Sequence, residues 1–240
     1  MSGRRWRRIA GLSVVKSWPE SPYSKGPPQA LRPNPRARAA GCAGAALVLG
    51  GLSIIGLAIA SQVHAPQPRT SAAGRTSQAR QGPSLQRSLP VTVDIPAIDV
   101  HSQLLRLGLN PDGTIQVPSL TTAADEAAWY EYSATPGEIG TSVIEGHVDS
   151  YQGPAVFFRL GALQPGDHID VRLASGVTAI FRVTGVREYS KDNFPDRLIY
   201  GDTHYAALRL ITCGGAFDSA TGHYLSSTVV FASLASASRD

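Results

Sequence analysis

From Pro90 onward, apolar and polar positions alternate in short runs that are interrupted by turn-forming residues. Period-two alternation puts every second side chain on one face of an extended segment. It predicts strands near Val91–Ile95, His101–Leu107, Ile115–Val117, Thr141–Gly146, His168–Leu173, Val177–Tyr189, Leu208–Thr212 and Thr228–Ser233. Asn110-Pro-Asp-Gly113 and Ala174-Ser-Gly176 supply turn chemistry between them. Helical signals are confined to Ala123–Ala128 and Val156–Leu163, each enough for one short helix. About eight short strands in roughly 150 residues predict an all-β domain, a β-barrel or sandwich that is closed or nearly so.

The pattern changes upstream. Ala39–Val63 is a run of 25 residues without a charge. As a helix it measures roughly 37 Å, more than the hydrocarbon thickness of about 30 Å. It is Gly-rich and not amphipathic, which is the wrong pattern for a buried soluble helix. Residues 64–89 are rich in Pro, Gln, Ser, Thr, Gly and Arg, the composition of a flexible linker. The expected organisation is a basic segment over 1–38, a transmembrane signal-anchor over 39–63, a linker over 64–89 and a folded domain over 90–240. Ala58-Ile59-Ala60 also fits a signal-peptide cleavage site, but a 38-residue leading segment favours the uncleaved anchor.

Charge sharpens this organisation. Residues 1–38 carry nine Lys/Arg and the single acid Glu20, and residues 39–89 add four Arg and no acid. Residues 90–240 carry nine Lys/Arg against seventeen Asp/Glu, a net of −8. Basic residues flank the apolar run most heavily on its N-terminal side, so the positive-inside rule predicts residues 1–38 in the cytoplasm and 64–240 outside. An acidic domain argues against nucleic acid as a partner, because phosphate binding needs basic surface. The chain has two cysteines, Cys42 in the apolar run and Cys213 in the domain, so no internal disulfide is expected.

Two short motifs carry candidate chemistry. In Leu210-Ile211-Thr212-Cys213-Gly214-Gly215, a strand delivers a lone thiol, followed by two glycines that allow close backbone approach. Cys213 is either a small buried hydrophobe or a nucleophile, with the Gly214 and Gly215 amides as candidate oxyanion donors. In Glu145-Gly146-His147-Val148-Asp149-Ser150, His147 closes a strand beside a carboxylate. It is either a turn residue or a general acid/base. His168, His204 and His223 show no ligand spacing with His147, so neither a metal nor another cofactor is expected.

Together the two motifs resemble those of sortases. Leu210-Ile211-Thr212-Cys213 matches the Leu-x-Thr-Cys end of that family's signature, and Gly146-His147 at a strand end matches its other landmark. GHVDS, LITCGGAFD and GHYLSSTVVFA resemble the actinobacterial class F branch. The resemblance spans about residues 90–234 and implies an eight-stranded sortase β-barrel acting as a cell-surface cysteine transpeptidase. By that analogy Cys213 attacks an LPXTG-like sorting signal to form a thioacyl enzyme. His147 protonates the leaving amine and then deprotonates an incoming cell-wall amine. The 189–206 stretch, with Phe194, Leu198, Ile199 and Tyr200, is expected to help form the substrate groove.

One feature departs from the family pattern, which has an Arg downstream of the Cys. Residues 214–238 contain no Arg or Lys. Ser219, Leu225, Ser226 and Ser227 occupy the region in question. Arg209 and Arg239 are poorly placed, and His223 and Tyr224 are the sizeable polar stand-ins. Two rival readings follow: a non-catalytic pseudo-sortase that binds surface peptides, and a cysteine peptidase that resolves the acyl enzyme with water.

Overall fold

The computed structural model describes residues 64–73 and 83–239. The expected basic segment 1–38, the apolar run Ala39–Val63 and residues 74–82 of the expected linker lie outside the described residues. Among the described residues no helix is long and apolar enough to cross a membrane.

Ten strands follow in chain order: β1 (Pro90–Ile95), β2 (Val100–Leu107), β3 (Ala127–Tyr130), β4 (Gly140–Glu145), β5 (Asp149–Ser150), β6 (Gly153–Pro154), β7 (His168–Leu173), β8 (Val177–Ser190), β9 (Ala206–Asp218) and β10 (His223–Arg239). Eight of them close a barrel in the order β1-β2-β3-β4-β9-β10-β8-β7, while β5 and β6 form a separate two-stranded ribbon. The β2–β3 and β4–β9 pairs are parallel and the other barrel pairs antiparallel. Closure leaves no barrel strand with an unpaired edge.

Period-two alternation explains what fills the barrel. Val93 and Ile95, Ile169 and Val171, Phe181 and Val183, Leu208 and Leu210, and Val230 and Ala232 all join one buried cluster, together with Trp129 and Ile144. The intervening residues face outward, and along β4, β9 and β10 that outer face is covered too. All six residues of β4 and the first nine of β9 are buried. The cover comes from the chain between β8 and β9, which contains the short helix α1 (Asp196–Tyr200). Ile199 of α1 packs with Val143, Ile211, Val229 and Phe231 in a second cluster, bordered by Tyr130, Tyr189, Phe194 and Tyr200.

Three expectations need correction. The helix expected over Ala123–Ala128 is absent, and Ala127–Tyr130 is β3 instead. Alanine-rich sequence favours a helix, but here two neighbours compete for the backbone. β3 pairs in parallel with β2 and antiparallel with β4, and Trp129 is buried with its ring N–H donating to the Ala134 carbonyl at 3.1 Å. Tertiary pairing outweighs local propensity. The strand expected at Ile115–Val117 is reduced to one bridge, Leu109 with Ile115, which closes the Asn110–Gly113 turn. Val156–Leu163 yields only a single 3-10 turn at Leu160–Ala162.

Candidate active site

The parallel register of β4 and β9 runs from Gly140 opposite Ala206 to Glu145 opposite Ile211. It persists for one further bond, with the Gly146 N–H donating to the Ile211 carbonyl at 3.1 Å. His147 and Cys213 each lie two residues beyond the last pair of this register, Glu145 opposite Ile211. Gly146 is required at this crossing, because a Cβ there would lie 2.7 Å from both the Phe157 ring and a Val156 methyl. The loop then folds back on itself: Phe157 N–H donates to the His147 carbonyl at 2.9 Å, and Ala155 N–H donates to that of Val148 at 3.1 Å.

Cys213 shares the outward parity of Arg209 and Ile211 on β9. It lies inside the strand rather than at its end, since β9 continues to Asp218. Cys213 is 8% exposed and packs on Val148, with Ala65, Val117, Phe158 and Tyr224 around the pair. Directly opposite on β10 stands Ser227, fully buried. The Lys191 Nζ donates to the Cys213 Sγ at 3.4 Å.

Burial dominates the electrostatics of this cluster. It pushes the Cys213 thiol up to about 11, against the pull of the Lys191 ammonium, and the Asp149 and Glu145 carboxylates raise it further. Burial holds the His147 imidazole below its usual range, partly offset by the Pro118 carbonyl. That carbonyl lies 2.6 Å from His147 Nε2. A carbonyl only accepts, so the ring proton sits on Nε2 and the neutral ring is basic at Nδ1. Asp149 is raised by burial and eased by Tyr224, whose hydroxyl donates to its Oδ2 at 2.6 Å. Glu145, 3% exposed, is pushed up to about 7 by burial, although the Tyr200 hydroxyl donates to its Oε1 at 3.2 Å.

The structure gathers most, not all, of the residues singled out from sequence. Gly214 and Gly215 continue β9 beyond the thiol. Gly214 faces Ser226, and Gly215 turns with φ +74°, where a Cβ would meet Ser226 and Glu188. His223 sits opposite Asp218, about 16 Å of strand beyond Cys213, while its neighbour Tyr224 is the residue that packs beside the thiol. Leu225 is exposed at a register shift of β10, and Ser219 is exposed in the turn. Arg209 is buried with its guanidinium 4.6 Å over the Phe231 ring, which makes it a packing element of the outer cluster. In the 189–206 stretch Ile199 is fully buried against the barrel wall and Leu198 is exposed. Lys191 went unremarked in the sequence, although it is the sole Lys of residues 90–240.

The family model for the sortase domain matches residues 93–235, more than half of the chain. The chain belongs to the sortase family. His147, Lys191, Cys213 and Tyr224 all fall within the sortase domain, and its function is accordingly of the sortase transpeptidase type. Among solved structures, sortase A of Listeria monocytogenes is 15% identical over 65% of this chain and 92% of its own, with a TM-score of 0.48. The sortase SrtA of Actinomyces oris is 20% identical over 69% of this chain and 91% of its own, with a TM-score of 0.45. A lid mutant of sortase A from Corynebacterium diphtheriae is 19% identical over 63% and 73%, with a TM-score of 0.47. No curated protein matches the sequence.

Proposed function

We propose that this sortase is a class F-like, cell-surface cysteine transpeptidase in which Cys213 is the nucleophile and His147 its acid/base partner. The observation that supports the reading is the shared register of β4 and β9, which ends at Glu145 opposite Ile211, with His147 and Cys213 each two residues further along their chains. Near neutral pH both groups rest uncharged, since the thiol titrates near 11 and the imidazole below its usual range.

In the proposed cycle the thiol proton passes to His147 Nδ1 while Sγ bonds to the carbonyl carbon of the Thr–Gly peptide of an LPXTG-like signal. The C–N bond breaks, and the leaving amine takes the proton from the imidazolium, which leaves a thioester on Cys213. An amine acceptor of the cell wall then attacks. Its proton goes to His147, the C–S bond breaks and the thiol is restored. Splitting one acyl transfer into two suits sulfur, which both attacks and leaves well. The Gly214 and Gly215 amides are the proposed oxyanion donors. Residues 1–38 are proposed to lie in the cytoplasm, with Ala39–Val63 as the anchor and the barrel outside.

A second reading has its own support. The thiol is buried and raised, and residues 214–238 offer it no cation, as fits a peptide-binding pseudo-sortase. One experiment separates the readings. The protein is incubated with an LPXTG-type peptide, quenched and weighed, and then chased with an amine such as triglycine. A thioacyl adduct on Cys213 that moves to the amine is expected, is lost in Cys213→Ala, and falls 10²–10⁴-fold in rate in His147→Ala. Peptide binding with no adduct establishes the pseudo-sortase instead. An adduct released only by water establishes the peptidase.

A further inference from the structure

Lys191 opens the turn Lys191–Asn193 that follows β8, and its Nζ donates to the Cys213 sulfur at 3.4 Å. The strand arm that follows Cys213 brings no cation of its own, because residues 214–238 lack Lys and Arg. Arg209, on the same strand face, is held over Phe231. The other charged groups facing the sulfur work against its ionisation: Asp149 from β5 and Glu145 from β4 both raise the thiol. Tyr224 from β10 is engaged with Asp149, and the His147 Nε2 with the Pro118 carbonyl. Ser227, across β10, is neutral.

A sulfur anion has to appear in this low-dielectric cluster twice per cycle, once in attack and once when the C–S bond breaks. Without a counter-charge each appearance carries the full cost of a buried ion. We propose that Lys191 is a third catalytic residue, whose ammonium stabilises the Cys213 sulfur as it becomes anionic in both half-reactions. The proposal rests on the reading of Cys213 as nucleophile. It deepens that reading by assigning the cation that the hairpin lacks to the end of β8.

The test follows alkylation of Cys213 by iodoacetamide between pH 6 and 10 in the full chain. Peptide mass spectrometry keeps Cys42 separate, and Cys213→Ala serves as the blank. Lys191→Met is expected to react at least tenfold more slowly at pH 8, with its profile displaced upward by a pH unit or more. Lys191→Arg should stay within about threefold of wild type, because the charge is kept. In peptide turnover Lys191→Met should lose tenfold or more in kcat with little change in KM. Should Lys191→Met fail to fold by circular dichroism, Lys191→Gln takes its place against Lys191→Arg. Coincident alkylation profiles for wild type and the neutral variant overturn the proposal, and so does unchanged kcat. A wild-type chain that never acylates sinks the nucleophile reading, while the alkylation profiles still decide whether Lys191 sustains the thiolate.

Discussion

Glu145 illustrates how one buried side chain couples the site to stability. It sits at the last residue of β4, two positions before His147, and its carboxyl is raised from 4.5 to about 7 by burial. Between those values the folded state holds a proton that the unfolded chain has released. Stability from this group is therefore complete below about 4.5 and declines as pH rises through 7. The shift corresponds to roughly 3 kcal/mol. Glu145→Gln keeps an acceptor for the Tyr200 hydroxyl and removes the ionisation. Urea unfolding of wild type should weaken between pH 5 and pH 8, whereas the variant should stay nearly flat and exceed wild type at pH 8. A wild-type curve as flat as that of the variant would mean that Glu145 ionises freely in the folded protein.

At the scale of elements, the barrel is only as regular as its covering allows. Strands with one solvated face announced themselves by alternation, and β1, β2, β7 and β8 lie close to where the sequence predicts them. β3 was hidden, because an alanine-rich tetrapeptide gains its strand character only from β2 and β4 on either side. The full length of β9 was hidden by its glycines, which read as a stop but pass beneath Thr228 and Ser226 where a side chain cannot. The thiol and His147 were legible from their motifs. Lys191 was not, since nothing local to a Ser-Lys-Asp turn indicates that it will meet a residue 22 positions away. The segment before the barrel holds a similar surprise. Ala72 is buried in the main core, Ala65 packs beside the thiol, and the Pro66 carbonyl occupies the space a Gly161 side chain would need, 2.1 Å from its Cβ. Gly161→Ala should therefore lift residues 65–67 off the barrel, costing about 1–3 kcal/mol of stability. It should also speed alkylation of Cys213, because one wall of the thiol's cover is removed. A slower or unchanged alkylation rate would show that Ala65 does not shield the sulfur.

At the scale of the whole molecule, charge is the guide to the proposed location. The first 38 residues carry a net +8, and residues 90–240 a net −8, on either side of the uncharged Ala39–Val63 run. Arginine and lysine beside an apolar span are retained on the cytoplasmic side far more readily than they are translocated. A domain that follows such a span is translocated largely regardless of its own charge. The same arrangement suits the proposed chemistry, since a transpeptidase for cell-wall amines has to meet its acceptor outside the membrane. Protease treatment of intact cells is expected to release a fragment of about 150 residues that begins within residues 65–89 and still alkylates at Cys213. Residues 1–38 should stay cell-associated and become cleavable only after lysis. Release of the N-terminal segment from intact cells, or a domain that resists shaving while the linker is cut freely in lysates, would reverse the orientation. Either result would place the thiol on the side of the membrane that lacks the proposed acceptor.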